Sequence, residues 1–129
     1  MPIATDSRLL ETARIKLVDA AKAAGIALKQ TFAKEGGQLS RQAGRYAHAR
    51  QFKRLRRAIK RQRTIVGRLV REMDRKASAM GQAVRDALSE VLDKAQRIAA
   101  QSAQRKAVNG QPKLYAWHAP EVDWSRPPF

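Results

Sequence analysis

Phe52, Leu55, Ile59, Val66, Leu69 and Met73 recur at steps of three, four and seven residues. That spacing lays them along one stripe of an α-helix, whereas a half-buried strand would need strict alternation. Gln62 stands in the stripe where an apolar residue would be in register. A second stripe follows directly, formed by Met80, Val84, Leu88, Val91, Ala95 and Ile98. Two amphipathic helices in succession cover their apolar faces most simply by folding back on one another. The chain is therefore expected to be mainly α, a long helical hairpin or a small bundle. Only Ser78 and Gly81 mark a turn between the two stripes, and one continuous helix is the rival arrangement.

Upstream, Leu10, Leu17, Ala21, Ala24 and Leu28 keep helical spacing, with Asp6 or Ser7 able to cap the start and Glu11 near its positive end. Gly25 either ends this helix or interrupts it, and Gly36-Gly37 is the clearer break. The expected helices span residues 6–34, 38–76 and 78–105 within a helical region 1–107, and the middle one would be roughly 55–60 Å long. Much of the apolar content is alanine, which buries little area, so the core should be thin. From residue 108 the character changes. Asn109-Gly110-Gln111-Pro112 reads as a turn, and Lys113 to His118 alternates weakly as a short strand. Pro120, Pro127 and Pro128 stop anything longer. The chain offers that strand no good partner, so residues 108–129 are expected to be a turn, a short strand and an irregular tail.

Charge is distributed just as unevenly. Residues 36–71 carry twelve bases and no acid, so +12 of the net +16 lies in about a third of the chain. A solvated helix face normally mixes signs, with acids placed four residues from bases. Here the run between Glu35 and Glu72 has none. Arginine forks pair with phosphate through parallel hydrogen bonds. The residues expected to make such contacts are Arg41, Arg45, Arg50, Lys53, Arg54, Arg57, Lys60 and Arg61, with Arg56 and Arg63 in the same stretch. Nothing in the run selects bases over backbone, so DNA would be held through its phosphates without choice of sequence.

Other chemistries find little support. There is no cysteine, which removes disulfides and thiolate metal sites. No apolar run approaches the roughly 20 residues of a membrane span, and the apolar face beside the basic run has Phe52 and Leu55 but then modest aliphatics, which the following helix can cover. His48 reads as a helix-surface or packing histidine, with a role as base or phosphate donor the sharper alternative. His118 has only Glu121 at ligand spacing, and Glu121 with Asp123 falls among prolines. No glycine-rich phosphate loop or nucleophile elbow is present.

Gly44-Arg45-Tyr46-Ala47-His48-Ala49-Arg50-Gln51-Phe52-Lys53-Arg54 resembles a block in bacterial insertion-sequence transposases of the DDE type, most nearly their fifth family. The opening Thr5-Asp6-Ser7-Arg8-Leu9-Leu10 is similar to the same family. So is Lys113-Leu114-Tyr115-Ala116-Trp117-His118-Ala119-Pro120-Glu121-Val122, and the resemblance covers about residues 3–122. It implies an RNase H-like domain in which three acids on separate elements hold a divalent metal, with magnesium expected, to cut and join DNA. In that pattern the first aspartate precedes the Thr-Asp-Ser opening, and the other two acids follow the Pro-Glu-Val strand. Asp6 matches the helix start and not the catalytic aspartate. After Val122 the sequence departs from the family's glycine- and lysine-rich stretch.

The resemblance thus implies the helical insertion between the catalytic acids. No catalytic residue, metal ligand or cofactor is assigned to this chain, and it is not expected to be an enzyme. The expected product is a truncated or frameshifted transposase remnant that keeps backbone contact with DNA. Its further partners would be an intact transposase or itself, and its setting the bacterial cytoplasm at the nucleoid. Two alternatives stand beside it: a free-standing basic helical protein that binds nucleic acid or regulates, and a module that oligomerises through its long helix.

Overall fold

Leu9, Leu10, Ala13, Leu17, Val18 and Ala21 share one face of the first helix, α1 (Pro2–Ala24), and all are buried. It is followed by α2 (Ala33–His48), α3 (Phe52–Met80) and α4 (Gln82–Ser102). This is a computed structural model, and it describes residues 2–103 and Trp117. The described residues form an all-α bundle with no strand among them. α1, α3 and α4 pack against one another around a common core, and α2 lies on α1 and α3 without touching α4. Leu10, Leu17, Leu55, Ile65, Leu69, Met73 and Ile98 fill the centre. Ala13, Ala43, Ala58, Ala77 and Ala95 are buried between them and let the helix axes approach closely.

The helix bounds correct the sequence expectation, each for a local reason. The first helix begins at Pro2, so Asp6 and Ser7 are buried within it instead of capping it. It ends at Ala24 and does not reach residue 34. Gly25 takes φ +77°, its N–H bonds the Lys22 carbonyl, and the N–H of Ile26 bonds that of Ala21 at 2.8 Å. This is the Schellman stop, which favours a glycine in the left-handed region followed by an apolar residue; Ile26 is buried beside Ala21.

Gly36-Gly37 is not a break at all but lies inside α2. The reason for glycine there is proximity to α1. A Cβ at Gly36 would collide with the side chains of Arg14 and Glu11. Arg14 cannot easily yield: it donates from Nε and Nη2 to the two Glu11 oxygens at 2.7 and 2.9 Å, and from Nη1 to the Thr31 carbonyl at 3.1 Å. Alanine would improve helix propensity by about 1 kcal/mol but overpack this contact at a cost of about 1–3 kcal/mol. Gly36→Ala is therefore expected to lower Tm by about 4 °C in a thermal melt. A rise in Tm would show that α1 and α2 part without penalty.

The helix expected over 38–76 is two helices. The chain stops at the end of α2 in a second Schellman arrangement: Arg50 N–H bonds the Ala47 carbonyl and Gln51 N–H that of Tyr46. Arg50 holds the left-handed position at φ 58°, where glycine is the usual occupant, so composition hides this turn. The helix expected over 78–105 starts at Gln82. Gly81, at φ +125°, is the whole connection between α3 and α4, and the pair forms a hairpin instead of one continuous rod. Asp74 and Arg85 form an ion pair of 3.3 Å across that corner. In α4 the buried stripe is Leu88, Leu92, Ala95 and Ile98, while Met80, at the end of α3, is 48% exposed.

Gln62 belongs in its stripe. It is 3% exposed, its Oε1 accepts the Ser7 hydroxyl at 2.8 Å, and its Nε2 donates to the Ser7 carbonyl at 3.2 Å. One buried polar pair thus fixes α1 against α3. The strand expected over 113–118 lies outside the described residues except for Trp117. That residue is buried at the α1–α4 seam, where the Lys94 ammonium donates to its carbonyl at 2.7 Å and lies 5.3 Å from its ring centroid.

Candidate nucleic-acid interface

α3 buries positions 55, 58, 59, 62, 65, 66, 69, 70, 73 and 77, which fixes the opposite face toward solvent. At helical spacing that face carries Lys53, Arg57, Lys60, Thr64, Arg68, Arg71 and Arg75, all exposed. Six of the seven are cations, spread along about 33 Å of helix. Arg54 flanks the row on the α2 side, with a long exposed bond of 3.4 Å to Gln51 Oε1. Arg41 and Arg45, one turn apart on α2, are exposed, as is Arg50 in the connection. α3 has no acid in its first turn, and Gln51 makes no side-chain cap. Its N-terminal dipole therefore adds to the positive potential at that end.

Seven of the eight residues singled out from sequence are exposed, five of them on α3 or the turn before it and two, Arg41 and Arg45, on α2. Arg61 does not stand free. Its Nε and Nη2 donate to Glu35 at 2.6 and 3.0 Å, tying α3 to α2 and cancelling one charge of the run. Arg63 is also diverted: its Nη1 donates to the Ser102 carbonyl at 3.0 Å, supplying a cation at the C-terminal end of α4. Conversely, Arg68, Arg71 and Arg75 continue the row beyond the residues chosen from sequence. The signal for them was available, since 53, 57, 60, 64, 68, 71 and 75 follow the same three- and four-step rule as the apolar stripe. Only Arg75 lies beyond Glu72 and Asp74, which interrupt the charge run in sequence. In the fold those acids turn aside, Glu72 to Lys76 at 2.7 Å and Asp74 to Arg85.

The ion pairs set the acid response. The bond from Arg61 holds the Glu35 carboxyl below its ordinary value of 4.5, with the charges of Arg61 and Arg68 adding and partial burial opposing. Glu72 is lowered first by the bond from Lys76 and then by the backbone N–H of Lys29, which reaches it at 3.0 Å. Lys76 also donates to the Ala27 carbonyl, so this pair pins the α1–α2 loop to α3. A carboxyl lowered by folding stabilises fully above its unfolded value and loses that contribution as pH falls through its folded value. Tm is expected to decline as pH falls below the ordinary carboxyl value of 4.5, and more shallowly in the Glu35→Gln/Glu72→Gln double variant. Parallel declines in melts of the two proteins would assign acid sensitivity to other groups.

His48 is exposed near the end of α2. His118, Glu121 and Asp123 lie outside the described residues. Among the described residues no three His, Asp or Glu side chains come together as a group that could hold a metal ion. No helix among them is long and apolar enough to cross a membrane. Fold and surface together define a class: an all-α bundle in which one helix face carries six exposed cations. Comparison with protein-family models, curated proteins and solved structures finds no match for the chain.

Proposed function

We propose that this chain binds DNA through its phosphate backbone, using the solvent face of α3 together with Arg50, and supplies contact without catalysis. The observation that carries this reading is the row of six exposed cations on one rigid helix face, lined by no acid over Lys53 to Arg71. A duplex carries one negative charge per about 1.7 Å of axis, so a straight row about 33 Å long meets phosphates along its whole length. The resemblance of the block from Gly44 to Arg54 to insertion-sequence transposases favours DNA among polyanions and the role of a non-catalytic helical insertion. On this reading the block spans the end of α2, the left-handed turn at Arg50 and the start of α3.

Fluorescence anisotropy of labelled duplexes at several salt concentrations tests it. About six phosphate contacts give a log–log slope of roughly −5, with equal affinity for duplexes of unrelated sequence. Absence of binding in dilute buffer, or binding confined to one sequence, would overturn the reading. Self-association that persists unchanged at high salt, without DNA binding, would favour the oligomerisation alternative.

A further inference from the structure

Away from the α3 row, the N-terminal part of α1 and the C-terminal half of α2 enclose an open cleft of about 650 Å³. Arg8 enters from α1. Ser40, Arg41, Gly44, Arg45 and His48 enter from α2, where steps of three and four residues bring them to one side of the helix. No carboxylate lines the cleft, and no ion pair engages Arg8, Arg41 or Arg45 among the described residues. Buried Ser7 closes the floor, its hydroxyl committed to Gln62. At Gly44 even a Cβ would meet nothing within 4 Å, so the α2 wall is open at its middle.

Concavity separates this cleft from the α3 row. A convex helix face meets many phosphodiesters of a duplex, one to a side chain. A cleft of this volume falls in the range of small-ligand sites, admits one nucleotide and excludes a duplex. Three arginines from two helices line one cleft with no acid among them, which suits a phosphate monoester carrying nearly two charges better than a singly charged diester. We infer that this cleft takes the phosphate monoester of a single nucleotide unit, either the terminal phosphate of a DNA strand or a free nucleoside monophosphate. The strand-end form rests on the DNA-binding reading above; the free-nucleotide form does not.

The test uses the full chain and two short single strands that differ only in a terminal phosphate or a terminal hydroxyl, with deoxyadenosine monophosphate titrated separately by calorimetry. The terminal phosphate should raise affinity roughly tenfold, as charge-assisted hydrogen bonds require. Arg8→Gln should erase that gain while leaving affinity for the hydroxyl strand within about twofold, because Arg8 is not on the α3 row. Ser40→Glu, which places an acid in the cleft, should do the same, so a folding defect in one variant does not decide the matter. A phosphate advantage sensitive to both variants supports the strand-end form, whether or not the mononucleotide binds alone. Mononucleotide binding that depends on Arg8, with neither strand and no duplex bound in dilute buffer, supports the cleft and defeats the DNA-binding reading. Equal affinity for the two strands with no mononucleotide binding, or a phosphate advantage that survives both variants, overturns the inference.

Discussion

Replacing Arg57, Lys60 and Arg68 together by glutamine is expected to weaken duplex binding by on the order of a hundredfold in dilute buffer and to flatten the salt dependence by about 2.7 in log–log slope. The three lie on the solvent face of α3, with Thr64 between Lys60 and Arg68, and none is engaged in an ion pair among the described residues. Their removal therefore takes away charge and leaves the core untouched, and Tm should stay within about 2 °C. Loss should be equal for unrelated duplexes, since phosphate contacts carry no sequence information. Arg61→Gln is the contrasting variant. Its guanidinium already faces Glu35, so it should cost little affinity, and a loss matching that of Arg57→Gln would mean that DNA pulls Arg61 off its partner. An unchanged slope in the triple variant would place the DNA on another surface.

Gln62→Ala is expected to be the most damaging polar substitution, at about 2–4 kcal/mol, which corresponds to a fall in Tm of roughly 10 °C. It removes both bonds to Ser7, leaves the Ser7 hydroxyl buried without its acceptor, and opens space between α1 and α3. Ser7→Ala breaks the same pair from the other side. The two effects should be less than additive, with a coupling of about 1 kcal/mol or more in a double-mutant cycle from denaturant melts. Strict additivity would show that Ser7 and Gln62 act as separate packing residues and not as a clasp.

The apolar stripes were legible because burial imposes the helical period directly on residue choice; Leu55, Ile59, Val66, Leu69 and Met73 are all buried as their spacing requires. The turns were not, because each depends on one backbone position whose chemistry is ambiguous. Glycine marks a left-handed stop at Gly25 and a close helix approach at Gly36, and the letter is the same for both. At Arg50 the left-handed residue is not glycine, so the split between α2 and α3 left no mark in composition. Gln62 looked like a defect in its stripe because its partner, Ser7, lies 55 residues away. The candidate site divides along the same line. Exposure of Lys53, Arg57 and Lys60 follows from the period, whereas the diversion of Arg61 to Glu35 and of Arg63 to the end of α4 depends on how α2 and α4 dock. The cleft at Arg8 could not be read from the chain at all, since its walls come from segments about thirty residues apart.

The hairpin at Gly81 sets where charge resides in space. By folding α4 back along α3, it draws Asp86, Glu90 and Asp93 toward the stretch of α3 that already holds Glu72 and Asp74, and leaves α2 and the start of α3 with cations almost alone. Among the described residues charge is consequently lopsided, with a cationic pole and a near-neutral one. A tumbling particle of this kind feels a torque near a polyanion, and it turns its cationic pole inward before any atom touches. Two copies meeting pole to pole push apart within a Debye length, about 10 Å at 0.1 M salt, so on the proposed DNA-binding reading crowding along one duplex would be limited by mutual repulsion as much as by available phosphates.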